Sequence, residues 1–123
     1  MNTAARCLRV LVVDDEPLIR WSIAETLGAA GHQVAEAEDA ASTLRAIQDE
    51  PEPDLVLLDF RLPDSDDLGL LAKIRQIAPD ATVIMMTAFG TADVTAGALK
   101  LGASRVLNKP FNMHDLEDVV RAL

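Results

Sequence analysis

Apolar residues along this chain follow two alternating rhythms. Short, nearly continuous runs at Arg9 to Val13, Leu55 to Leu58, Thr82 to Met86 and Arg105 to Leu107 read as strands, the Leu55 run as one buried on both faces. Gln33 to Ala37 alternates instead, which predicts a weaker strand near a sheet edge. Between these runs, apolar residues recur at helical spacing. Ile19, Ile23 and Leu27 predict a first helix. It opens near Pro17, where a missing N–H is harmless, and stops at Gly31. Leu44 and Ile47 mark a second helix, ended by Pro51 and Pro53. Leu68, Leu71, Ile74 and Ile77 or Ala78 mark a third, closed before Pro79. Val94, Ala98 and Leu101 mark a fourth, rich in small residues and ended at Gly102. Leu116, Val119, Val120 and Leu123 mark the fifth. Such alternation predicts an α/β fold built on a parallel sheet. Trp21 lies two positions off the first helix's stripe, so partial burial beside the next helix is expected, with a partner contact as the alternative.

The 123 residues suit one domain, 1–123, large enough for a real core. The helical pattern at the C-terminal end carries no cap, which suggests the N-terminal segment of a longer protein. A net charge of −9 argues against nucleic-acid or anionic-membrane binding by this segment. No apolar run has membrane-spanning length, and Met1 to Arg6 lacks the apolar core of a signal peptide. Cys7 is the single cysteine, so no internal disulfide can form and a cytoplasmic location is expected.

The chemistry lies at the strand ends. Asp14, Asp15 and Glu16 follow the first strand, Asp59 the third, Thr87 the fourth, and Lys109-Pro110 the fifth. In an open parallel sheet these ends share one edge, where ligands bind. The three acids alone fit equally the start of a helix. With Asp59 beside them, their repulsion favours a hard divalent cation, and Mg2+ often binds through one or two carboxylates plus a phosphate. Asp59 is placed to attack phosphorus as a nucleophile. Lys109 could snorkel over the sheet edge or reach into the pocket, the latter if its bond to Pro110 is cis. Thr87 could donate to a phosphoryl oxygen. His32 and His114 lie outside this constellation and receive no chemistry.

Together these pieces resemble the receiver domain of two-component response regulators. The resemblance rests on Val12-Val13-Asp14-Asp15-Glu16-Pro17, Leu58-Asp59-Phe60-Arg61-Leu62-Pro63, Met86-Thr87-Ala88 and Lys109-Pro110-Phe111. It implies a doubly wound five-stranded parallel sheet in the order 2-1-3-4-5, the flavodoxin-like fold. It further implies that Asp59 is the phosphoacceptor, and that Asp15, Asp59 and the Arg61 carbonyl ligate Mg2+ directly, with Asp14 acting through water. Lys109 would pair with the phosphoryl group, and Thr87 would be the switch hydroxyl. The implied partners are a sensor histidine kinase and an output domain in cis. A homodimer would form through the face of the fourth helix, fifth strand and fifth helix. The implied role is a phosphoacceptor that promotes its own phosphotransfer and slow dephosphorylation, not an enzyme. Leu18-Ile19-Arg20-Trp21 is similar to receivers of the nitrogen-regulation (NtrC) class, which precede an ATPase and a DNA-binding domain.

Two positions depart from the family pattern. Val106 stands where receivers usually carry Tyr or Phe, so ring-rotamer signalling is not expected. Asp67 stands where glycine is usual, and Asp64-Ser65-Asp66-Asp67 is expected to add charge near the pocket. Two other readings stay open. One is a receiver-like binding module independent of phosphate. The other is a haloacid-dehalogenase-type phosphatase, which usually places nucleophile and acid two apart on its first strand, whereas Asp14 and Asp15 are adjacent.

Overall fold

Every strand and helix expected from the patterning forms. The computed structural model describes residues 7–49, 52–65, 68–88 and 90–123. The expectations for Met1 to Arg6, Pro51, Asp66 and Asp67 lie outside the described residues. The elements alternate as β1 (Arg9–Val13), α1 (Pro17–Ala29), β2 (Gln33–Ala37), α2 (Ala40–Asp49), β3 (Leu55–Asp59), α3 (Gly69–Ile77), β4 (Thr82–Thr87), α4 (Ala92–Lys100), β5 (Arg105–Asn108) and α5 (Met113–Arg121). The sheet is fully parallel, in the order β2-β1-β3-β4-β5.

Because successive strand residues point to opposite faces, the sheet divides the core into two layers. Leu11, Val13, Val56, Leu58, Val83 and Met85 pack beneath α2, α3 and α4. Val10, Val12, Leu55, Leu57, Ile84 and Met86 pack beneath α1 and α5, against Ile23, Leu27, Leu116 and Val120. The three central strands are buried along nearly their whole length, which is why their sequence runs are apolar without alternation. β2 sits at an edge and keeps exposed positions, hence its alternating pattern.

Three strands run one residue further than the change of polarity suggests. Asp59 pairs with Met86 and Thr87 with Asn108, so the ladder continues into the functional residues. The next amides extend it: Phe60 N–H donates to the Met86 carbonyl at 2.8 Å and Lys109 N–H to the Thr87 carbonyl at 2.8 Å. Asp59 and Thr87 are therefore held by the sheet itself.

Trp21 is 55% exposed and so only partly buried, while Leu101 and Leu123 differ from expectation. Two helical positions from Ile19 and Ile23 amount to some 200° of rotation, roughly opposite the buried stripe. Leu101 is exposed beyond the end of α4, where Gly102 at φ 105° turns the chain away. Leu123 lies past α5 and is exposed.

Candidate functional site

The site is assembled at the C-terminal edge of β1, β3, β4 and β5. Asp15, Glu16, Asp59, Arg61, Thr87, Ala88 and Lys109 line one cleft of about 140 Å³. Asp14 lies beneath it, fully buried, and Thr87 is buried as well. Asp14, Asp15 and Asp59 each present a carboxylate oxygen, and these oxygens lie within 4.8 Å of one another. Glu16 stays at the rim as the residue preceding α1, with no capping hydrogen bond from its side chain.

Lys109 is the counter-charge. The Lys109–Pro110 bond is cis, and Nζ donates to Asp14 Oδ2 at 2.7 Å and lies 3.3 Å from Asp59 Oδ2. It reaches into the pocket and does not snorkel over the edge. Burial alone would lower its pKa. The hydrogen bond to Asp14 and the charges of Asp59 and Asp14 outweigh burial and hold Lys109 above the ordinary lysine value. Asp59 responds in the opposite sense. Burial, then the neighbouring Asp14 charge, push its carboxyl up to about 6, against the pull of Lys109 and the Arg61 amide. One ammonium thus serves a buried carboxylate pair with a third carboxylate close by.

Every polar atom of Asp14 is engaged. Its N–H donates to the Ala37 carbonyl at 3.1 Å, and its Oδ1 accepts from Glu16 N–H at 3.0 Å. Its carbonyl accepts from Arg20 Nη1 at 2.8 Å, and the same guanidinium donates through Nε to Glu36 Oε1 at 3.0 Å. Sequence patterning named Arg20 only as part of a four-residue similarity. A contact that runs back six residues from a first helical turn to the carbonyl just past a strand leaves no periodic signal.

Asp64 also takes a place other than the one expected. Its carboxylate does not simply add charge near the pocket. Oδ1 and Oδ2 accept from Ala40 N–H at 2.7 Å and Ala41 N–H at 3.1 Å, capping α2. Asp39 completes the cap, with Oδ1 accepting from Ser42 N–H at 2.7 Å. Ser42, first through its side-chain hydroxyl and then through this backbone N–H, holds the Asp39 carboxyl below the usual carboxylate range. The loop that carries Arg61 is therefore pinned to α2. Asp64→Ala should cost about 0.5–2 kcal/mol, the usual penalty for a lost helix cap, read as a lower midpoint in urea unfolding. An unchanged midpoint would mean water replaces the cap at no cost.

His32 has a structural part, its Nδ1 accepting from Leu8 N–H at 3.0 Å at the start of the sheet. Val106 is half-buried against the layer beneath α2, α3 and α4.

The sequence matches the family description "Response regulator receiver domain" over residues 10–121. It is 34% identical over 113 residues to sporulation initiation phosphotransferase F of Bacillus subtilis (strain 168), covering 92% of this chain and 90% of that protein. It is 39% identical over 106 residues to the DNA-binding transcriptional regulator NtrC of Escherichia coli (strain K12), covering 86% of this chain but 22% of that protein. The crystal structure of NtrX from Brucella abortus superposes with a TM-score of 0.87 at 37% identity, covering 95% of this chain and 26% of that one. The chain belongs to the response-regulator receiver domain family. It spans nearly all of one curated relative and about a fifth of another. Among the described residues, no helix is long and apolar enough to cross a membrane.

Proposed function

We propose that this domain is a phosphoacceptor switch in which Asp59 takes a phosphoryl group from a sensor histidine kinase, with Mg2+ as cofactor. The observation that carries this reading is the meeting of Asp59 with Asp14, Asp15 and Lys109 at one sheet edge. The donor set fits a hard cation. It is all oxygen, its three carboxylates outnumber the one lysine and so leave two negative charges uncompensated, and it opens to a small cleft. In this reading Asp15, Asp59 and the Arg61 carbonyl are direct ligands, and Asp14 acts through water. When bound, Mg2+ would neutralise charge developing on the phosphoryl oxygens.

The protein's own groups do the rest. An Asp59 carboxylate oxygen forms the new P–O bond as the P–N bond of the phosphohistidine breaks and the imidazole leaves. Lys109, already at the pocket, pairs with one phosphoryl oxygen, and the Thr87 hydroxyl donates to another. The domain thereby promotes its own phosphotransfer and slow dephosphorylation.

The new group adds about 1.5–2 negative charges and three acceptors. Thr87 would draw the β4–α4 connection toward it. Phe89, one of the residues expected to shift, lies outside the described residues. α4 suits a moving element because Ala98 is its buried anchor and no large side chain roots it. Moving an active state from 1:99 to 99:1 needs about 5.5 kcal/mol, within reach of several charge-assisted hydrogen bonds. With Val106 in the usual aromatic position, switching runs through Thr87 and α4. The face of α4, β5 and α5 would carry the signal, and would serve a homodimer. The similarity to NtrC supports placing the domain at the N-terminus of a longer cytoplasmic transcriptional regulator with an ATPase and a DNA-binding domain.

A time course with acetyl phosphate and Mg2+ tests this reading. Uptake of one equivalent, followed by slow release of inorganic phosphate, is expected. Linear release over many turnovers without accumulated phosphoprotein would make the domain a phosphatase.

A further inference from the structure

We infer that Arg20 is a positioning residue for the acidic cation site, acting through the Asp14 carbonyl; this rests on the Mg2+ reading above. The argument begins with Asp15. Among the described residues its carboxylate is exposed and has no hydrogen bond or ion pair of its own. Its position is therefore set by the backbone that carries it. That backbone begins with the Asp14–Asp15 peptide, a planar unit whose orientation is fixed once its carbonyl is fixed. Arg20 Nη1 holds this carbonyl at 2.8 Å.

The guanidinium is itself held. Arg20 lies in the first turn of α1, its N–H bonded to the Glu16 carbonyl at 3.0 Å. Glu36, on the edge strand β2, takes its Nε at 3.0 Å, and the Arg20 side chain is only 17% exposed. The planar fork thus joins the residue that follows β1, the start of α1 and β2. A lysine ammonium cannot reproduce this fixed fork, which reaches two acceptors in different directions.

The sign of the effect separates positioning from charge. A cation beside the Asp14–Asp15 peptide repels a second cation. By charge alone, removing Arg20 would tighten Mg2+ binding. If Arg20 acts by positioning, removing it weakens binding, because Asp15 no longer converges on Asp14 and Asp59.

The test is calorimetric Mg2+ titration of the purified chain at constant ionic strength, with thermal midpoints measured alongside. Arg20→Lys keeps the net charge and should weaken Mg2+ binding roughly tenfold, the low end of what losing a ligand's supporting contact costs. Arg20→Ala should weaken it at least as much, despite gaining negative charge. Unchanged affinity in Arg20→Lys, or tighter binding in Arg20→Ala, would overturn the proposal. Should Arg20→Ala fail to fold, Arg20→Lys decides. Wild type without saturable binding would instead overturn the Mg2+ reading itself.

Discussion

Asp59→Asn should abolish phosphoryl uptake from acetyl phosphate while making the metal-free domain more stable at neutral pH. The two effects share a cause. Asp59 ends β3 inside the ladder, so its oxygen is held at the sheet edge beside Asp14 and within 3.3 Å of Lys109 Nζ. An amide in its place keeps the shape but cannot attack phosphorus. It also removes a charge that burial and Asp14 disfavour. The carboxyl titrates near 3.8 when unfolded and near 6 when folded. Between these values the folded state binds more protons, so Asp59 makes stability fall as pH rises from about 4 to 6. Above pH 6 its ionised form costs at most about 3 kcal/mol, less once screening by solvent in the open cleft is allowed for, and Asp59→Asn removes that cost. Urea denaturation in chelator at pH 7.5 and at pH 4 checks this. The variant should be the more stable at pH 7.5, and the difference should shrink at pH 4. A variant less stable at pH 7.5 would mean that Asp59's attraction to Lys109 outweighs its burial.

Lys109→Met should produce the largest loss of stability. Asp14 is fully buried and Asp59 nearly so, and Lys109 reaches both. Removing one partner of a buried ion pair leaves an uncompensated charge, typically at a cost of about 3–5 kcal/mol. For a domain of this size that corresponds to a thermal midpoint lower by on the order of 10–20 °C. Methionine keeps most of the side-chain volume, so the loss reports charge and not a cavity. Two controls sharpen the measurement. Asp14→Asn in the same chain should restore much of the stability, and Mg2+ should raise the midpoint of Lys109→Met more than that of wild type. A midpoint within a few degrees of wild type would contradict the buried cluster described above.

How much of this was legible beforehand depended on the kind of contact. Strands buried on both faces betray themselves as unbroken apolar runs, and the first polar residue after each run marks the functional edge. Asp14, Asp59 and Thr87 were legible for that reason, and Lys109, one residue past Asn108, by its place before Pro110. The exact strand ends were not, because polarity changes one residue before the hydrogen-bond ladder stops at Asp59, Thr87 and Asn108. Leu101 satisfied the helical period of α4 but lies beyond the turn at Gly102. Contacts between side chains and distant backbone left no trace in the pattern. Asp64 caps a helix 24 residues earlier, and Arg20 ties the Asp14 carbonyl, just past β1, to Glu36 on β2. Such polar contacts depend on how the loops settle once the apolar core has fixed the sheet.

The most direct test of the central claim is to locate the phosphoryl group chemically. The domain would be incubated with acetyl phosphate, with Mg2+ or with chelator, then reduced with borohydride and mapped by peptide mass spectrometry. An aspartyl phosphate is converted by this treatment to homoserine. Conversion at Asp59 alone, and only with Mg2+, is the predicted result. Conversion at another carboxylate, equal conversion in chelator, or none in a folded protein would contradict the account.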